Sequence, residues 1–297
     1  MYIGGHYHCI YNYDDLLTAI NHIRKVGGNA LQIFVGKNTS TTTTSKQKAV
    51  LTNTETKNIK KLLKELDMKL FIHGSLSLNL CNPLIPKYLW SLENLLYDLN
   101  FGHKIGAEGV VIHLGTVMKD RYNIENNKRA ERKAYKNMVK SLEYVADRVP
   151  PRIKILIETS AGQGGKIATK VEDLGKLYSK INPIYRRKIN FCIDTCHIFS
   201  AGYPINHKNG WKEYIDLFNE HIGVKQIKLI HLNDSKVGLG VGKDLHTNLM
   251  KGYIFTRNKE ALKKIVVWAK KHKVPMILET RDLFLYDKEI KLVKSLS

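Results

Sequence analysis

Nine side chains with nitrogen or oxygen donors draw attention first: His73, His113, His197, His231 and His246, with Glu158, Asp194, Asp244 and Glu279. A lone histidine says little. What sets these apart is where they fall, because short β-type runs close in turn on His6, His73, His113, Glu158, Asp194, His231 and Glu279. Four carboxylates in one pocket would repel one another and rise in pKa unless cations compensated, and divalent metals do so best. His197 follows Asp194 by three residues in Asp194-Thr195-Cys196-His197. Asp244 and His246 flank Leu245, with Gly238, Gly240 and Gly242 before them to permit a tight bend. From an extended segment, that i, i+2 spacing lets both side chains face one ion.

Imidazoles and carboxylates without thiolate suit zinc or manganese at a reactive site, not a cysteine-rich structural zinc. Nine donors also exceed the need of one ion. At about three or four ligands per catalytic zinc, with a shared carboxylate, they would serve two or three metals. Such a site would hold a phosphate and lower the pKa of a bound water. Cys192 and Cys196 straddle a strand end and have no second close pair, which argues against a zinc knuckle. Cys192 is expected in the core, and Trp90, Trp211 and Trp268 are expected to pack.

The elements that must position these donors alternate along the chain. Strand-like runs are Tyr2–Gly5, Ala30–Phe34, Lys69–Ile72, Gly109–Ile112, Ile153–Ile157, Asn190–Ile193, Gln226–Ile230 and Pro275–Leu278. Amphipathic stretches lie between and after them: Asp14–Val26, Thr54–Leu66, Lys87–Ile105, Asn127–Arg148, Val171–Ser179, Trp211–His221, Asn258–Lys271 and Asp287–Leu296. Eight βα units predict an α/β fold, the closed (β/α)8 TIM barrel, as one domain over residues 1–297. An open doubly wound sheet is the competitor, but no glycine-rich dinucleotide turn follows the first strand. In a barrel the carboxyl ends of the strands form the catalytic mouth, which is where the donors fall.

Lys and Arg outnumber Asp and Glu by 48 to 27, a net charge of +21, in a chain of 297 residues. Such a field attracts polyanions, nucleic acid above all. No apolar run approaches the roughly 20 residues that span a bilayer. No secretory signal opens the chain, and four scattered cysteines make no disulfide framework. The chain is therefore expected to be an intracellular monomer, neither secreted nor membrane-bound. The Ser/Thr run Thr39–Ser45 reads as a loop, and Lys119–Lys136 is rich in Lys and Arg.

At this point the residues spell out longer signatures. Ile155–Gly164 reads ILIETSAGQG, Asn190–Tyr203 reads NFCIDTCHIFSAGY and Ile230–Ser235 reads IHLNDS, in order with VIHLG at Val111–Gly115 and ILET at Ile277–Thr280. Together they resemble the endonuclease IV family of apurinic/apyrimidinic endonucleases, over nearly the whole chain from Ile3 to Glu279. The resemblance implies a TIM barrel with three zinc ions, manganese being possible at one site. It places the first ion on His73, His113 and Glu158, and the second on Glu158, Asp194, His231 and Glu279. His197, Asp244 and His246 take the third, and Glu158 and Glu279 are implied as catalytic residues. The implied reaction is hydrolysis of the phosphodiester 5′ to an abasic site in double-stranded DNA, leaving a 3′-hydroxyl and a 5′-deoxyribose phosphate. Clearing of blocked 3′ ends is implied as a second activity.

Two departures concern DNA contact. Family members carry an arginine in the loop after strand two and a tyrosine after the strand-three histidine, and both enter the DNA. Here those places hold Val35-Gly36-Lys37-Asn38-Thr39 and Leu76. Lys37 and Leu76 are the corresponding candidates for DNA contact; Leu76 either wedges into the duplex or packs. The competing function is a metal-dependent sugar isomerase or epimerase on a related barrel. It needs only one or two metals and leaves Asp194-x-x-His197 and Asp244-x-His246 without a role.

Overall fold

A computed structural model describes residues 1–36, 48–82, 84–117, 124–256, 258–280 and 282–297. Lys37, the Thr39–Ser45 run and part of Lys119–Lys136 lie outside the described residues. The chain builds the barrel that its βα period predicts. Parallel strands β1 (Ile3–Ile10), β2 (Ala30–Val35), β3 (Lys69–His73), β4 (Gly109–Ile112), β5 (Lys154–Glu158), β6 (Ile189–Asp194), β7 (Ile227–His231) and β8 (Met276–Leu278) form a closed ring, each beside its sequence neighbour. β8 pairs with β1 to complete it.

Outside the ring lie α1 (Tyr13–Lys25), α2 (Asn53–Glu65), α3 (Ile85–Ile105), α4 (Ile124–Arg148), α5 (Val171–Ser179), α6 (Gly210–His221), α7 (Lys259–His272) and α8 (Tyr286–Ser295). Local chemistry sets their ends. The Thr52 side chain accepts from the Glu55 amide while the Glu55 carboxylate accepts from the Thr52 amide, a reciprocal box that starts α2. Gly106 ends α3 in the left-handed conformation.

Two apolar layers hold the assembly. The larger packs the helices onto the outer face of the ring through residues such as Leu16, Ile59, Leu99, Met138, Phe218 and Ile265. The smaller fills the ring itself: Ala30, Phe71, Val111, Leu156, Cys192, Leu229 and Ile277 form a buried plug. Cys192 is thus a core residue. Because strand side chains alternate with period two, the inward position next above each plug residue lies two residues on, toward the mouth. Those positions are Gln32, His73, His113, Glu158, Asp194, His231 and Glu279. The fold therefore converts positions on seven separate strands into one polar tier above an apolar stopper.

Several strands run further than their hydrophobic patterns suggest. β3, β5, β6 and β7 each take in the donor that ends them, and β1 continues past His6 to Ile10 with an irregularity between His6 and Cys9. At the seam, a Cβ on Gly5 would meet the Tyr286 ring at 2.1 Å. The buried Tyr286 hydroxyl lies 2.9 Å from the Leu278 carbonyl and 3.1 Å from those of His6 and Thr280. α8 thereby fastens the last strand to the first.

Candidate metal centre

β3 delivers His73 almost fully buried. Its Nδ1–H donates to the Gly74 carbonyl at 2.7 Å, so Nε2 faces the barrel axis, 3.4 Å from Glu158 Oε2. His113, the residue after β4, sets Nδ1 3.3 Å from the same oxygen. From the end of β5, Glu158 turns Oε1 toward His231 Nδ1 at 3.0 Å. His231 Nδ1 also lies 3.0 Å from Glu279 Oε2 and 3.9 Å from Asp194 Oδ2.

The third region is built by two local devices. Asp194 Oδ1 accepts from the His197 amide at 2.7 Å and so caps a short helix, Thr195–Ser200, that the strand-like sequence pattern does not announce. This turn swings His197 back toward the axis, where its Nδ1 donates to the Thr159 carbonyl at 2.8 Å. Farther along, Asp234–Ser235 pairs antiparallel with His246–Thr247, which returns the glycine-containing loop across the mouth. Asp244 Oδ1 then stands 3.0 Å from His197 Nε2 and 3.1 Å from His246 Nε2. His246 Nε2 is also 3.4 Å from Asp194 Oδ2.

Three groups of potential ligand atoms result, each set lying within 4.8 Å of one another: His73, His113 and Glu158; Glu158, Asp194, His231 and Glu279; Asp194, His197 and His246. All nine donors singled out from the sequence thus meet at one mouth. Glu158 is shared between two groups, and so is Asp194. Asp244 adjoins the third group through its contacts with His197 and His246.

The donor set fits divalent cations on two further counts. Glu158 Oε2, His197 Nε2 and His246 Nε2 are buried atoms without a hydrogen-bond partner, all within the cluster. Such atoms are costly to bury unless something else engages them. The second count is electrostatic. Burial opposes charge on His197, yet Asp194, Asp244 and Glu158 lift its pKa to about 10. Burial likewise resists charge on His231, which Cys192, Glu279 and Glu158 raise, and on His246, which Asp194 and Asp244 raise. Glu158, Glu279 and Asp244 are held well below the usual carboxylate range by facing imidazoles, against the pull of burial. Asp194 is pushed up by burial despite His197 and His246. This is a deep well for positive charge. His113 differs: burial lowers it to about 3, leaving a neutral ring whose Nδ1 accepts from Lys166 Nζ at 3.2 Å.

Two residues that donor-by-donor inspection of the sequence passes over complete the arrangement. Gln32, fully buried, accepts on Oε1 from His231 Nε2 at 2.9 Å and donates from Nε2 to Glu279 Oε1 at 2.7 Å; the same Nε2 lies 2.8 Å from His6 Nδ1. Asn233 donates from Nδ2 to Asp194 Oδ2 at 2.7 Å and to Glu279 Oε2 at 3.2 Å. Such amides fix the orientation of ligating groups. His6, which sequence places at a strand end but outside the ligand set, contacts Gln32 and packs edge-on against Phe34. Above the tier opens a cavity of about 630 Å3, walled by Phe34, Leu76, Leu245, Lys236 and Asp282. Leu76 is 66 % exposed at its rim.

Fold and site define a class, the xylose isomerase-like TIM barrels, and that family matches residues 20–296. Within the class the sequence is more specific. It is 34% identical over 267 residues to a protein of Acanthamoeba polyphaga mimivirus described as a putative endonuclease 4, covering 89% of this chain and 81% of that one. It is 33% identical over 229 residues to apurinic-apyrimidinic endonuclease 1 of Saccharomyces cerevisiae, covering 75% of this chain and 57% of that protein. The crystal structure of endonuclease IV from Thermus thermophilus shares the fold, with a TM-score of 0.80 at 24% identity over 100% of this chain and 98% of that one. The chain belongs to the endonuclease IV family.

Proposed function

We propose that this chain is a DNA repair hydrolase that cuts the phosphodiester 5′ to an abasic site in duplex DNA, leaving a 3′-hydroxyl and a 5′-deoxyribose phosphate. We infer that the same site clears blocked 3′ ends. The observation that carries this reading is the overlap of three donor groups through Glu158 and Asp194 on the floor of an open mouth. Imidazole and carboxylate donors without thiolate favour zinc at all three, with manganese an alternative at one. His73, His113 and Glu158 would hold the first ion. Glu158, Asp194, His231 and Glu279 would hold the second, and His197, Asp244 and His246 the third. Bound there, dications offset charge on phosphoryl oxygens and make water a competent nucleophile at neutral pH.

The chain's own groups supply shape and order. Neither thiol beside the donors is suited to be the nucleophile: burial pushes Cys192 up to about 12 and Cys196 higher still. Glu158 and Glu279, ionised and buried among imidazoles, keep the donors in register and are the residues we assign to catalysis. The cavity is sized for a sugar–phosphate unit, not for a stacked duplex, so the target must leave the helix, which costs least where a base is already missing. Lys236 offers a cation to a flanking phosphate, and Leu76 stands where an apolar wedge would enter the gap.

Incubation with a duplex carrying one abasic analogue, with both product ends mapped, tests the proposal. A single 5′-side incision is expected, from protein containing about three zinc ions per chain. Fully metal-loaded protein that leaves the duplex intact would overturn it. An isomerase or epimerase would hold fewer ions and act on free sugars.

A further inference from the structure

Away from the mouth, a groove of about 850 Å3 runs down the outside of the barrel between α4 and α5. One wall is a stripe of four exposed cations, Lys128, Arg132, Lys136 and Lys140, at strict i, i+4 spacing along α4. Like charges at that spacing destabilise a helix. The stripe therefore works against the local stability of α4. The facing wall adds Lys176 and Lys180. Two carboxylates, Glu131 and Asp173, also line the groove. Among the described residues only Lys176 of these six cations has an ion-pair partner, Asp173 at 3.0 Å.

We propose that this groove is a second nucleic-acid site, which holds the sugar–phosphate backbone of a single strand. Charge complementarity selects a polyanion. Geometry selects the kind: residues four apart on a helix stand about 6 Å from one another, close to the spacing of successive phosphates along one strand. A cleft between two adjacent helices admits one extended chain but not the wide cylinder of a duplex. Its lining also contains an aromatic ring, Tyr135, half-buried, as sites for single strands use beneath their cations. The Tyr135 hydroxyl accepts from the Ala168 amide at 3.1 Å. That loop also carries Lys166, whose Nζ is 3.2 Å from His113 Nδ1. The upper end of the groove therefore abuts the rim of the mouth, so a strand could pass from one to the other. The proposal does not rest on the metal centre or its activity.

The test compares the intact protein with the triple variant Arg132→Glu, Lys136→Glu, Lys180→Glu, using fluorescence anisotropy of an oligothymidylate. At roughly 0.1 M salt, three lost phosphate contacts predict binding about a hundred-fold weaker, with the logarithmic salt dependence shallower by about 2, taking about 0.7 per contact for single strands. The reversal makes the i, i+4 pairs 128/132 and 136/140 on α4 opposite in charge and leaves only 132/136 alike, a net relief for the helix, and circular dichroism checks that the variant is folded. Incision of a short abasic duplex should stay unchanged. Unaltered oligonucleotide affinity would overturn the proposal. Equal competition by polyglutamate or by phosphatidylserine vesicles would overturn nucleic acid as the occupant, and equal competition by duplex would overturn the single strand. Loss of abasic incision in the parent protein would instead count against the metal-centre reading alone.

Discussion

Replacing Gln32 with leucine probes the amide that no donor-based search would choose. The side chain is fully buried, and its three short contacts join two proposed ligands, His231 and Glu279, to His6. Gln32→Leu keeps the approximate volume and deletes every one of these bonds. Partners that orient metal ligands are worth about 10- to 100-fold in affinity or activity each, or about 1.4–2.7 kcal/mol. Because Gln32 steadies two ligands of the same group, we expect the upper end: about a hundred-fold weaker metal binding at that group, with the other two groups little changed. Competition against a chromophoric chelator measures this without reference to DNA. In chelator-treated protein the variant should also melt lower, since the loss leaves His231 Nε2 and Glu279 Oε1 unpaired at about 1–3 kcal/mol apiece. Gln32→Glu is the informative companion, because it keeps an acceptor but faces Glu279 with a fifth carboxylate. If Gln32→Leu bound metal as the parent does, the argument that the amide orients His231 and Glu279 would be wrong.

The other expectations are briefer. Glu158→Gln should reduce incision by more than the about hundred-fold that an outer partner costs, while duplex affinity survives; near-normal turnover would remove its bridging role. Metal binding at neutral pH should release protons, because His197 titrates near 10 and must give up its proton to coordinate, so apparent affinity should rise with pH toward that value. Calorimetry in buffers of different ionisation enthalpy would show it, and identical heats would refute it. In metal-free protein the same raised pKa means that His197 contributes stability below its ordinary 6.5, which is lost as pH climbs through about 10; the melting temperature should fall over that interval. Leu76→Ala should leave thermal stability unchanged, given its exposure, but raise KM for abasic duplex more than it lowers kcat. A variant that destabilises the fold without altering KM would mark Leu76 as a packing residue.

Most of the centre is legible in the sequence because a strand's period of two is rigid. Leu156 in the plug places Glu158 in the tier, and Phe71 does the same for His73. The same count from Ala30 reaches Gln32, which escapes notice only because a neutral amide does not look like a ligand. Asn233 hides for a similar reason inside IHLNDS. β1 is under-read because His6-Tyr7-His8-Cys9 does not alternate as a half-buried strand should. The six-residue helix after Asp194 is masked by the apolar character of Ile198 and Phe199, both buried beside the barrel. Least legible is the membership of Asp194 in the third group, since it depends on a loop that brings His246 back through four paired residues distant from Asp194 in sequence.

The seam at Tyr286 carries a consequence for how the molecule matures. Glu279 and the tyrosine that pins its strand to Gly5 both belong to the final stretch of sequence, so the ring stays unsealed until that stretch docks. Without that stretch in place the remaining imidazoles and acids would face a gap open to solvent on one flank, so metal bound there should be exchangeable, and firm retention should depend on the seam being shut.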